Sequence, residues 1–146
     1  MTSQPSAAPP SSASSVVIDT NVLSYIFKGD TRGPAYARLI ASYQGYMSFQ
    51  TLAELSEWAL KNRWGARRTQ QLLDFLTPFG VIHSDASLCA RWAAVRVVGM
   101  KAGRPIDTAD AWIAATALAL GCPLVTHNAA DYAGVPNLKI ISEQPL

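Results

Sequence analysis

The sequence predicts an α/β domain in which a mostly parallel sheet of four to five strands is covered by helices on both faces, a three-layer α/β/α arrangement. Three observations carry this. Short apolar runs alternate with longer helical stretches along the chain. The stretch 111–120 is apolar on every side apart from Thr116, so its helix is buried rather than amphipathic. Pro123-Leu124-Val125 follows it, short and apolar as a parallel core strand is.

At 146 residues the chain suits one domain with a sizeable core, expected over 16–146 after a flexible Ser-, Ala- and Pro-rich tail at 1–15. That tail lacks the basic start and apolar centre of a signal peptide. No apolar run approaches transmembrane length, so the expectation is a cytoplasmic protein with no membrane partner. Twelve basic and ten acidic residues leave a formal charge of +2, which permits an RNA partner without arguing for one. Cys89 and Cys122 are too few for a disulfide framework or a zinc site and read as small core residues.

In chain order, 16–18 is a buried strand that ends abruptly at Asp19-Thr20-Asn21. A helix follows over 22–27 and stops at Gly29. Asp19 thus stands where a strand gives way to a helix, a place where ligands gather in open α/β sheets. A helix cap is its other reading. A second helix is expected over 35–42 and a short strand over 46–48. Thr51 opens a third helix with Leu52, Leu55 and Ala59 on its apolar face. Thr51 and Glu54 fit a capping box, which gives Glu54 a purely structural role, and Glu57 reads as a surface acid.

The stretch 61–68 is the most basic, and Trp64 sits inside it. Arg63, Arg67 and Arg68 with an aromatic neighbour can grip a nucleic-acid strand, or simply form a solvated turn. Helix resumes over 69–76, and 80–83 is a third strand ending in His83, whose place at a strand end would suit catalysis, although a lone histidine is more often structural. Asp85 caps a long helix over 86–101, with Leu88, Trp92, Val95 and Val98 expected to face the core. After the linker Gly103-Arg104-Pro105, Asp107 is a natural cap for the buried helix and Asp110 lies in its first turn. A last strand is expected over 138–141.

Singly, each acid has a structural account. Together they form a pattern: Asp19 follows the first strand, Glu54 opens a helix after the second, Asp110 opens the buried helix, and Asp131 follows the fourth strand. In a parallel sheet these positions face one edge. Four carboxylates gathered there cannot all stay ionised without a cation between them. Hard ions such as Mg²⁺ want oxygen ligands, and the lack of His and Cys clusters argues against zinc. Such ions activate water and stabilise the leaving oxygen of a phosphodiester.

The chain resembles the PIN-domain ribonucleases, and among them the VapC toxins of bacterial toxin–antitoxin pairs. The resemblance rests on VVIDTNVLSYIF at 16–27, MSFQTLAEL at 47–55, DAWIAATALALGCPLVTHNAADY at 110–132 and VPNLKII at 135–141, in that order. It implies a single-strand endoribonuclease that uses Mg²⁺ or Mn²⁺. It assigns Asp19 and Asp110 to the first ion, with Glu54 completing the site and Asp131 acting through a second ion or a water. Thr20, Asn21, Thr126 and Asn128 would orient water, ligands or a phosphate. Asn128 stands where some relatives carry Asp, and Asp107 falls one turn before the family's acidic position, as a cap or a supporting acid. The resemblance further implies a homodimer and a small antitoxin that covers the site and represses the shared operon. Trp58 and Trp64 are candidate anchors for that partner, or core residues.

Rival classes lack their signatures. A haloacid-dehalogenase phosphatase needs a second Asp two residues after Asp19, where Asn21 stands. A receiver domain needs a Lys after a late strand, where Thr126-His127-Asn128 stand. A dinucleotide fold needs a Gly-rich first turn, and DTNVLS has none. A catalytically silent PIN-like binding module and a PIN nuclease of RNA maturation are the alternatives within the family.

Overall fold

The computed structural model describes residues 14–143. The tail expected over 1–15 lies outside the described residues through residue 13, and Ser15 already belongs to the first strand. The elements run β1 (Ser15–Ile18), α1 (Thr20–Lys28), α2 (Gly33–Ile40), β2 (Gln44–Ser48), α3 (Phe49–Lys61), α4 (Ala66–Leu76), β3 (Gly80–Ile82), α5 (Ala86–Lys101), α6 (Thr108–Leu120), β4 (Leu124–Val125) and β5 (Ile140–Ile141). A 3₁₀ turn, Ala129–Tyr132, sits between the last two strands.

The five strands form one sheet in the order β3-β2-β1-β4-β5, and every pairing is parallel. β1 is central and wholly buried, which is why its sequence is an unbroken apolar run after Ser15. Its side chains alternate between two cores. Val16 and Ile18 join Val22, Leu23, Tyr36, Leu55 and Leu72 on the α1–α4 face. Val17 joins Val95, Ala111, Ile113 and Ala114 on the α5–α6 face. The chain builds outward from β1 to β3 on one side, then crosses to lay β4 against β1's other edge. Strand order therefore reverses between β1 and β4, the switch point at which open α/β sheets form a crevice at their strands' C-terminal ends.

α6 is buried as its sequence requires. Ala111, Ile113, Ala114, Ala115, Thr116 and Ala117 are all enclosed. Thr116 is tolerated because its hydroxyl donates to the Trp112 carbonyl at 2.8 Å. Asp107 caps the helix, and Gly121 ends it in the left-handed conformation at φ 64°.

Four expectations are corrected. α3 begins at Phe49 and is capped by Ser48, whose hydroxyl accepts from the Gln50 amide at 3.1 Å. Thr51 is therefore a buried residue inside the helix, no capping box forms, and Glu54 is released from that role. On α5, Val98 is exposed, and Gly99 occupies the buried position of that turn. The core stripe runs through Leu88, Val95 and Gly99, where a Cβ would meet the Arg104 carbonyl oxygen at 2.8 Å. Cys89 lies off this stripe and is exposed, whereas Cys122 is buried as expected. Finally, α4 starts at Ala66, so Arg67 and Arg68 belong to a helix, and only Arg63, at φ 55°, sits in the turn.

Candidate active site

The β1–β4 switch point gathers the acids. Asp19 ends β1 in extended backbone, and its amide donates to the Val125 carbonyl of β4 at 2.9 Å. Its side chain is only 5% exposed. Oδ1 accepts from the Thr20 amide at 2.8 Å. Oδ2 accepts from the Thr126 hydroxyl at 2.7 Å and the Tyr132 hydroxyl at 3.0 Å. Burial raises the Asp19 pKa above the ordinary carboxylate value, against the pull of those three hydrogen bonds. Asp19 thus caps α1 with Oδ1, while Oδ2 is held by the Thr126 and Tyr132 hydroxyls.

Asp110 projects from the first turn of α6, where its own amide donates to the cap Asp107 at 2.9 Å. Its Oδ1 lies 3.3 Å from the same Tyr132 hydroxyl that reaches Asp19. Asp110 is pushed up to about 7, first by burial and then by the negative charges of Asp107, Asp19 and Asp131. The Tyr132 hydroxyl is itself raised by burial and by the two carboxylates, so it remains a protonated donor.

Glu54 joins from α3. Its Oε1 accepts from the Thr20 hydroxyl at 2.5 Å, and that hydroxyl is 3.0 Å from the Thr51 hydroxyl. Asp131 is exposed on the 3₁₀ turn and acts on Asp110 through its charge. Asn128 is also exposed, and its amide donates to the Thr126 hydroxyl at 3.0 Å. Asn21 Oδ1 is buried with no hydrogen-bond partner.

The expected four-carboxylate cluster therefore resolves into a bridged pair, Asp19 and Asp110, with Glu54 linked through Thr20 and Asp131 standing outside. Among the described residues no three His, Cys, Asp or Glu side chains are close enough to hold a metal ion together. The donors present still suit a hard divalent cation. They are oxygens only, two carboxylates share one hydroxyl, and the neighbouring negative charges that add to burial at Asp110 are what a cation relieves.

Two residues escaped the sequence reading. Tyr132, which the sequence marks only as the last residue of the 110–132 motif, touches both central acids. Lys28 lines a cavity of about 190 Å³ with Thr20, Ser24, Glu54, Leu55 and Trp58. It stands one helix length from Asp19, at the far end of α1. Trp58 and Trp64 are half-buried, packed on each other and on Phe27. The Arg68 guanidinium lies 4.7 Å from the Trp64 ring centre and 4.9 Å from that of Phe27. Arg63 and Arg67 are exposed nearby in sequence. His83 is exposed at the opposite sheet margin beyond β3.

Fold and site together define a parallel α/β domain with acidic side chains gathered at its switch point. The chain belongs to the PIN domain family, which it matches over residues 16–135. Within it, the chain is 34% identical over 109 residues to Ribonuclease VapC4 of Mycobacterium tuberculosis, covering 70% of this chain and 79% of that protein. It is 29% identical over 129 residues to Ribonuclease VapC1 of Haemophilus influenzae strain R2866, covering 84% and 93%. The fold superposes on VapBC2 from Rickettsia felis, solved bound to a DNA fragment from its promoter, with a TM-score of 0.77 at 25% identity, covering 88% and 98%. No helix among the described residues is long and apolar enough to cross a membrane.

Proposed function

We propose that this chain is an endoribonuclease that cuts single-stranded RNA with the help of Mg²⁺ or Mn²⁺, and that it is the toxin of a toxin–antitoxin pair. The observation that carries the reading is the convergence of Asp19 and Asp110 on one hydroxyl at the sheet's switch point. Relatives named Ribonuclease VapC support the choice of RNA as substrate.

Asp19 and Asp110 would hold the ion, Glu54 would complete the set, and Asp131 would contribute through a second ion or a water. A divalent cation supplies charge neutralisation and activation of water for attack on a phosphodiester. The chain's own groups prepare the ground for it. The Thr20 amide and the Thr126 and Tyr132 hydroxyls hold Asp19 in one orientation. The Thr20 hydroxyl donates to Glu54 and ties it to the start of α1. Lys28 offers a phosphate a cationic partner in the groove shared with Glu54. The Arg68–Trp64 corner extends a basic, aromatic track for a single strand.

Incubation of purified protein with single-stranded RNA tests the activity. EDTA should stop cleavage, and added Mg²⁺ or Mn²⁺ should restore it; full cleavage in EDTA would remove the cation from the proposal. The biological role is tested separately. Expression of the chain alone should slow bacterial growth, and co-expression of the small neighbouring reading frame should restore it by forming a complex. Harmless expression of folded, RNA-cleaving protein that the neighbour's product does not bind would leave a nuclease that is not a toxin.

A further inference from the structure

Tyr132 is 2% exposed, and its ring packs in the α5–α6 core with Val17, Ala111 and Val135. Its position is fixed from both sides by backbone. The Asp131 amide donates to the Asn128 carbonyl at 3.0 Å, and the Val135 amide donates to the Tyr132 carbonyl at 3.1 Å. The hydroxyl is thereby delivered to a point 3.0 Å from Asp19 Oδ2 and 3.3 Å from Asp110 Oδ1. A phenol has one proton to give. Only one of the two carboxylates can receive it at a time, while the other faces the phenol oxygen at contact distance.

We propose that Tyr132 is a positioning residue whose hydroxyl sets the separation of Asp19 and Asp110 and so prepares the pair to receive one divalent cation. This rests on the cation reading above. Its physical basis is a spacer effect. A rigid, buried, neutral group occupies the gap between two like charges and gives each a polar neighbour. Without it the two carboxylates face one another across a buried gap and move apart or draw in water. Either change spoils the spacing that a small, hard ion demands. Groups that orient metal ligands in this way are typically worth about ten- to a hundredfold in affinity.

The test is Mn²⁺ binding to the full chain, read from the electron paramagnetic resonance signal of the free ion. Wild type should bind, and Asp19→Asn should not. Tyr132→Phe keeps the ring and deletes only the hydroxyl; it should bind about tenfold more weakly or worse. Absence of Mn²⁺ binding by wild type would overturn the cation reading itself. Binding by wild type with equal or tighter binding by Tyr132→Phe would overturn the spacer and leave that reading intact. Stability of the chelated protein gives a second measurement. Tyr132→Phe should lower the melting temperature in the wild-type background and do so much less beside Asp110→Asn, where the facing charge is gone. Should Tyr132→Phe fail to fold, Asp110→Asn should rescue it. An equal loss in both backgrounds would show the hydroxyl to be a simple packing element and overturn the proposal.

Discussion

Asp19→Asn should lower RNA cleavage by about a hundred- to a thousandfold, the scale of loss when one charge-stabilising group leaves a hydrolytic site. The chain should stay folded. The amide oxygen of asparagine can still accept from the Thr20 amide, so the start of α1 keeps its cap. Two effects on stability oppose each other. A charge that burial disfavours is removed, which helps. An NH₂ group replaces the oxygen that accepts from Thr126 and Tyr132, and at least one hydroxyl proton loses its acceptor, which costs about 1–2 kcal/mol. A thermal melt beside the cleavage assay separates the two readouts. Near wild-type cleavage by the folded variant would remove Asp19 from the chemistry. The same variant, compared with wild type by sequencing RNA ends after brief induction, would also reveal which RNA is cut.

Asp110→Asn should likewise abolish cleavage, and here stability should rise in chelated protein. Asp110 carries a carboxyl lifted from its ordinary 3.8 to about 7. A raised carboxyl binds its proton more tightly in the folded chain than in the unfolded one. Its favourable contribution is complete below the ordinary value and is lost as pH climbs to about 7. The melting temperature of chelated wild type should therefore fall across that window. Asp19, raised by burial, acts with the same sign. Asp110→Asn should flatten the fall and melt a few degrees higher at neutral pH. Asp107→Asn is the contrast. Asparagine also caps helices, and Asp107 accepts from the Asp110 amide through one oxygen, so substantial activity should survive. Equal loss of activity in the two variants would mean that the cap and the candidate ligand have been exchanged.

The fold was legible because its central strand and central helix are apolar for a simple reason: the strand is wholly buried, and the helix is enclosed through most of its length. The 16–18 and 111–120 runs could sit nowhere but the middle of a parallel α/β domain. The positions of Asp19 and Asp110 followed from the same logic, one after a buried strand and one opening a buried helix. What the sequence hid was contact across the chain. Ser48 and Thr51 are both good caps, and the helix starts at Phe49 because Ser48 is held as the end of β2, paired with Ile82 of β3. Glu54's freedom depends on that choice. Val98 reads as the core residue of its turn because a glycine reads as a weak one, whereas Gly99's missing side chain admits the Arg104 carbonyl. Tyr132 was hidden because its hydroxyl acquires a meaning only when residues 19 and 110 are brought to it.

The placing of β4 beside β1 also bears on when the molecule becomes active during its own synthesis. Residues 15–18 leave the ribosome early, but one edge of that strand has no neighbour until residues 124–125 arrive. Asp19 is then still without Thr126 and Tyr132, which come later again. Ribosomes add about 5–20 residues each second, so the interval lasts several seconds. Through that time the growing chain carries its first acid but not the pair. Translation thus delivers the polypeptide before the residues that hold Asp19 are in place.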